Sequence, residues 1–186
     1  MRTLVVGVGD YSLDGIIGEA GGPFFNFCRS IPDDPAHFAW TFDEEERADI
    51  HIFGRKTYEV FASYFPNLTD DPTAEILNKG RKVVFSSTLK HVDWANTTIA
   101  SGDLVEEITK LKADGDGKIA AYGGISFLRS LVRHDLVDMY RLTVYPYIVG
   151  SGATLFDVSE SRPLELVSGV AFGNGVVGLT YRRRTE

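Results

Sequence analysis

Short apolar runs bounded by glycine and polar residues alternate along the first two thirds of the chain with segments whose apolar residues recur at helical spacing. Thr3 to Val8, Asp49 to Phe53, Lys82 to Phe85, Thr97 to Ala100 and Lys118 to Tyr122 read as buried strands. Asp34-Pro35 reads as a helix start, with the aspartate as cap and the proline at the first helical position. Leu104, Ile108 and Leu111 form one helical stripe, and Phe127, Leu128, Leu131 and Val132 form another. Leu136 to Pro146 is a long strand that places Val137, Met139, Arg141, Thr143 and Tyr145 on one side, and Pro146 ends its regular pairing. Val176 to Tyr181 pairs as a last strand. This order predicts one α/β domain over residues 1–186, with a mostly parallel central sheet and an antiparallel C-terminal edge.

In such sheets ligands bind beyond the carboxyl ends of the strands. Three polar or glycine-containing junctions fall there. Gly123-Gly124 sits where a strand turns into a helix, and the first free N–H groups of that helix suit a phosphate. A tight turn without a ligand fits the glycines equally well. Gly54-Arg55-Lys56-Thr57 repeats the arrangement with two cations in the first helical turn, where they oppose the helix dipole. Either a bound phosphate or a nearby carboxylate relieves that opposition. Ser86-Ser87-Thr88 ends the third strand and either caps the next segment or reaches a ribose or phosphate.

The segment from Asp10 to Asp34 is long, polar and rich in glycine, as binding loops are. Asp14-Gly15 within it is a turn or part of the ligand mouth, and Phe24, Phe25 and Phe27 anchor the far end in the core. Asp43-Glu44-Glu45-Glu46-Arg47 reads as a solvated helical face rather than a metal site, and His51, between apolar neighbours, as a core or strand-face histidine.

Composition narrows the partners. A net charge of −7 over 186 residues argues against a general nucleic-acid or anionic-membrane binder. The Arg182-Arg183-Arg184 cluster reads as a solvated tail. The single cysteine, Cys28, forms no internal disulfide and has no paired spacing with histidine, so no zinc site is expected. No run approaches the ~18–20 apolar residues of a membrane span. The glycine-broken N-terminus reads as a first strand rather than a signal peptide, so a cytoplasmic protein is expected.

Taken in order, Ser12-Leu13-Asp14-Gly15, Gly54-Arg55-Lys56-Thr57-Tyr58-Glu59, Val83-Val84-Phe85-Ser86-Ser87-Thr88-Leu89, Tyr122-Gly123-Gly124 and Pro146-Tyr147-Ile148-Val149-Gly150-Ser151-Gly152 resemble the dihydrofolate reductase-like superfamily. Within it the closer resemblance is to the reductase domain of the bifunctional riboflavin-biosynthesis deaminase-reductase. The resemblance implies a dihydrofolate reductase-like fold with helices on both sheet faces, and usually a homodimer. It also implies NADPH-dependent hydride transfer to a pterin-, pyrimidine- or related heterocycle-like substrate, of the 5-amino-6-(5-phosphoribosylamino)uracil or dihydrofolate type. Carried over by position, Gly54, Arg55, Lys56 and Thr57 would hold cofactor phosphates. Ser86 and Ser87 would lie by the adenosine ribose and its 2′-phosphate, and Gly123, Gly124, Ile125 and Ser126 would support the pyrophosphate. Asp14 is the candidate catalytic and substrate-orienting residue, and Trp40 and Tyr58 are either pocket walls or core residues.

The acidic residue that dihydrofolate reductases carry on the helix before the second strand has no counterpart near Phe38-Ala39-Trp40. That argues against folate reduction specifically. The deaminase signature, His-x-Glu with Pro-Cys-x-x-Cys, is absent from the sequence. Two rivals remain: a dinucleotide-binding module without turnover, and an interaction domain whose glycine junctions are only turns.

Overall fold

The computed structural model describes residues 1–46, 48–158 and 160–184, without the side chains of residues 44–46. Among the described residues, eight strands form one sheet: β1 (Thr3–Ser12), β2 (Ala48–Gly54), β3 (Arg81–Phe85), β4 (Thr97–Ala100), β5 (Lys118–Ala121), β6 (Met139–Tyr145), β7 (Leu164–Ala171) and β8 (Val177–Arg183). Their order across the sheet is β4-β3-β2-β5-β1-β6-β8-β7. The first six pair in parallel, while β8 runs antiparallel to both β6 and β7. The expected mostly parallel sheet with an antiparallel C-terminal edge is what the chain forms. The helices are α1 (Pro23–Ser30), α2 (Pro35–Glu46), α3 (Arg55–Tyr64), α4 (Pro72–Lys79), α5 (Leu104–Ala113) and α6 (Ile125–Arg133).

Strand alternation divides the core between two faces. Leu4, Val6 and Val8 of β1, with Ile50, Ile52 and Ile119, meet Ile108 and Leu111 of α5 and Leu128, Leu131 and Val132 of α6. These helical residues include most of both predicted stripes. Elsewhere, Phe24 and Cys28 of α1 pack on Tyr145, Phe172 and Val176, with Trp40 of α2 beside them. A third cluster joins Phe53 of β2 and Val84 of β3 to Tyr58, Leu77 and Trp94.

Local signals explain most helix ends. Asp34 accepts from the N–H groups of Ala36 and His37 and so caps α2, as the sequence predicts. Asp71 caps α4 through Ala74 N, and Asp103 caps α5 through Val105 N and Glu106 N. The fully buried Lys82 donates to the carbonyl oxygens of Leu77 and Gly80, at 2.6 and 2.8 Å, and satisfies the end of α4. Its ammonium also lies over the Trp94 ring, and burial pulls its pKa down to about 8.

The structure corrects some expectations. The long loop after β1 contains α1, so the phenylalanines are helical rather than only anchors of a loop end. β1 itself runs on to Ser12. Arg182 and Arg183 are not a solvated tail. In β8, Arg182 makes a two-bond ion pair with Glu165 of the adjacent β7, and Arg183 donates to the carbonyls of Asp135 and Val137. The acidic run expected as a solvated face ends α2, and Asp43 is exposed, whereas the side chains of residues 44–47 lie outside the described residues. Among the described residues, no helix is long and apolar enough to cross a membrane.

Candidate functional site

Sheet register sets the site. Gly54 stands opposite Phe85, Phe85 opposite Ala100, and Ile52 opposite Ala121. The carboxyl ends of β4, β3, β2 and β5 therefore form a row about 14 Å across, three strand spacings. The residues that follow, Ser101, Ser86, Arg55 and Tyr122, leave the sheet from one edge.

At the β2 and β5 ends the two strand–helix junctions interlock. A Cβ on Gly54 would lie 3.3 Å from Cβ of Phe127 on α6. At the other junction Gly123 has φ +94°, and a Cβ there would come within 2.1 Å of Thr57 Oγ1 on α3. Each glycine thus admits a side chain from the opposite helix. Thr57 is buried, and its hydroxyl accepts from Gly124 N at 2.8 Å, which holds the two helix starts side by side.

Neither start has a side-chain cap, because glycine occupies both cap positions, Gly54 and Gly124. The leading N–H groups of α3 and α6 are left for solvent or an anion. Ile125 is half-buried, and Ser126 and Lys56 are exposed. Arg55, exposed at the α3 start, lines a cavity of about 350 Å³ with Ser86, Ser87, Thr88, Ser101 and Gly102. Arg55 donates to Glu59 Oε1 at 2.9 Å, so a carboxylate does share its charge. Both partners are about half exposed, where such a pair contributes little and yields readily to a stronger anion. Ser86 Oγ is engaged within its own loop, accepting from Thr88 N and Leu89 N. Ser87 is exposed beside it.

The ligand-mouth candidates lie apart. Asp14 accepts from Ser12 Oγ, Val149 N and Gly150 N, and these bonds hold its carboxyl down at about 2. An acid so firmly ionised is a fastener, not a ready proton donor. Isolated bridges, Tyr11 to Ile17 and Ile16 to Thr154, complete the closure of this loop on the segment after β6. Asp14→Ala should leave the sheet intact and speed amide exchange at residues 149–150. Unchanged exchange there would remove the fastening role.

Trp40 lies under the Arg141 guanidinium, whose carbon is 3.5 Å from the ring centroid, and Arg141 donates to the carbonyls of Trp40 and Thr41. Together with Tyr122 and Thr143 they line a cavity of about 100 Å³ between α2 and the sheet. A wider cleft of about 840 Å³, lined by Asp10, Arg29, His37 and Tyr145, shares Gly9, Thr41 and Thr143 with it. Tyr58, a pocket wall or a core residue on sequence grounds, is buried in the Phe53–Trp94 cluster, its hydroxyl accepting from Asp93 N.

His51 is buried as the sequence predicts, with Nδ1 3.3 Å from the Tyr122 hydroxyl and Nε2 left without a hydrogen-bond partner against Gly80. Sequence reasoning missed Ser101-Gly102, which the strand-end rule applied to β4 would have found. It placed Arg141 on one side of β6 but gave that buried cation no role.

The sequence pattern of the RibD C-terminal domain family matches residues 9–178. The Bacillus subtilis (strain 168) protein YyaP is 32% identical over 177 residues, covering 91% of this chain and 89% of YyaP. A candidate riboflavin biosynthesis protein from Shewanella sp. PV-4 has the same fold, with a TM-score of 0.76 at 23% identity over 99% of this chain and 100% of that one. So does the dihydrofolate reductase of Enterococcus faecalis, solved with NADP(H) and RAB-propyl, with a TM-score of 0.63 at 16% identity over 98% and 97% of the two chains. With its pattern matched from the end of β1 into β8, the chain belongs to the RibD C-terminal domain family.

Proposed function

We propose that the protein is an NADPH-dependent reductase that transfers a hydride to a small pterin-, pyrimidine- or related heterocycle-like substrate. The observation that carries the reading is the interlocked pair of uncapped helix starts, with Arg55 and Ser87 bordering the cavity beside them. The donor set fits a dinucleotide phosphate. N–H groups of α3 and of Ile125 and Ser126 would hold the pyrophosphate, with Thr57 bracing the α6 start through Gly124 N and Gly123 and Gly124 leaving room for the ligand's approach. Arg55, Lys56, Ser86 and Ser87 would border the adenosine ribose and its 2′-phosphate. Bound there, the cofactor supplies the hydride, and the chain's own residues bind and orient. Family membership and the NADP(H)-bound reductase of the same fold support this assignment. Trp40 belongs to the substrate side, Asp14 positions the mouth loop, and Tyr58 serves by packing.

NADPH titrated into the protein should quench tryptophan fluorescence and bind at least tenfold more tightly than NADH, since only NADPH carries the 2′-phosphate that Arg55 and Ser87 can take. Equal affinities would remove the reading. Arg55→Ala should weaken NADPH binding by about 1–3 kcal/mol and NADH binding far less. A parallel loss for both dinucleotides would place Arg55 elsewhere on the cofactor. Oxidation of NADPH with pyrimidine or pterin substrates separates a reductase from a binding module that does not turn over.

The same reading takes the chain as a homodimer. Leu164, Leu166, Val167 and Val170 are exposed on β7, the last strand of the sheet, where an uncovered apolar edge favours self-association. Sedimentation at the mass of one 20.5 kDa chain would exclude it.

A further inference from the structure

The turn between β7 and β8 leans on the segment that starts α2, and one histidine sits in that contact. Asp34, the α2 cap, accepts from Gly173 N at 2.7 Å through Oδ2. Asn174, the next residue of the turn, engages three groups with its side-chain amide. Nδ2 donates to the Pro32 carbonyl at 3.2 Å, and Oδ1 accepts from Val176 N at 3.2 Å. Nδ2 also lies 3.2 Å from Nδ1 of His37 on α2. His37 is half-buried there and stacked on Phe172, with 4.9 Å between ring centroids.

The two backbone partners fix which way the Asn174 amide points. A carbonyl only accepts and an N–H only donates, so Nδ2 faces Pro32 and Oδ1 faces Val176. The group presented to His37 is therefore a donor, and His37 Nδ1 is its acceptor. That assigns the ring proton to Nε2 and requires a neutral imidazole. A protonated ring carries N–H on both nitrogens, so two donors would then face each other. Turning the amide over would satisfy the ring, but it would set Nδ2 against Val176 N and Oδ1 against the Pro32 carbonyl. Val176 is fully buried, and an N–H left there without an acceptor is strongly unfavourable. In both arrangements the protonated form gives up bonds that the neutral form keeps. The charged neighbours do not offset this. Asp34 favours protonation of His37, but burial outweighs it and holds the pKa below the usual 6.5. From β6 the facing group is the Tyr145 ring, 6.2 Å away. The cleft that His37 lines also holds Cys28, Asp33 and the mutually paired Asp10 and Arg29.

We propose that His37 and Asn174 form a proton-operated latch: a neutral His37 holds the β7–β8 turn against the start of α2, and a protonated one releases it. Both residues line the wide cleft of about 840 Å³, so release loosens the wall of that cleft. The β7–β8 ladder and the bond from Gly173 N to Asp34 do not involve the ring, so the part set free is the turn and not the sheet. The inference goes beyond the reductase reading and stands whether or not the chain binds NADPH.

The full chain, isotopically labelled, tests this by NMR. Near neutral pH the His37 ring should be the Nε2–H form with Nδ1 unprotonated; an Nδ1–H ring would overturn the proposal. On acidification the His37 ring, the Asn174 side-chain amide and the Val176 N–H should shift with one common midpoint. Across that midpoint the exchange protection of Val176 N–H, corrected for its intrinsic rate, should fall about threefold or more beyond that of the β1 amides. Equal falls would mean that the turn follows the whole fold, and the latch would be refuted. His37→Phe keeps the ring stack and should remove the excess fall. Asn174→Asp sets an acceptor opposite Nδ1, so it should raise the proton affinity of His37 about tenfold or more and make the turn better protected in acid than at neutral pH. A His37 titration unaltered by that substitution would also count against the latch. The wild-type tautomer decides the case even if neither variant folds.

Discussion

Gly123→Ala should destabilise the protein by about 2–4 kcal/mol and weaken NADPH binding at least tenfold, whereas Gly124→Ala, one residue on, should be close to neutral for stability. At Gly123 the new Cβ would stand 2.1 Å from Thr57 Oγ1, 2.3 Å from its Cγ2 and 2.6 Å from its Cβ, and φ is +94°. Overpacking and the left-handed backbone act together there. At Gly124, φ is −54° and the nearest contact would be an ordinary 3.6 Å to Thr57 Oγ1. Urea denaturation of both variants checks the stability difference, and fluorescence titration checks the binding. Equal destabilisation at the two positions would mean that the interlock with Thr57 does not control the junction. An unstable Gly123→Ala that kept full NADPH affinity would separate the interlock from the cofactor.

Stability should fall by about 3 kcal/mol as the pH drops from about 6.5 to 4, with His51 as the main cause. Burial and the nearby Lys82 ammonium push the His51 pKa from its usual 6.5 down to about 4. Between those values the unfolded chain takes up a proton that the folded chain refuses, so acid favours unfolding. Above 6.5 both states hold a neutral ring and the effect vanishes. Burial also lowers His37, which acts in the same direction, so the measurement that isolates His51 is a difference. The wild-type loss between pH 7 and 4.5 is compared with that of His51→Gln by denaturant unfolding. The variant should begin less stable, because its amide replaces a fitted ring against Gly80 and Tyr122, and should follow a flatter pH curve. Parallel curves would exclude His51 as the titrating group.

The sequence by itself determined the elements and their order. Periods of two and of 3.6 residues, with Asp34-Pro35 and Gly123-Gly124 as punctuation, depend on neighbours in the chain and can be read without knowing what packs against them. They located the six parallel strands and the junctions at the carboxyl ends of three of them, and the rule that ligands gather at those ends did the rest. α4 and β7 escaped notice because their patterns are weak: eight residues of helix, and a strand almost wholly exposed. Only the tertiary structure decided what the junction residues do. The Thr57 hydroxyl meets Gly124 N across 67 positions of sequence, and Asp14 fastens Gly150 N across 136. Local spacing carries no trace of partners that distant. Which of its two readings Tyr58 takes, core or pocket wall, and that Arg182 is paired were decided for the same reason, since a side chain's role depends on what the fold brings next to it.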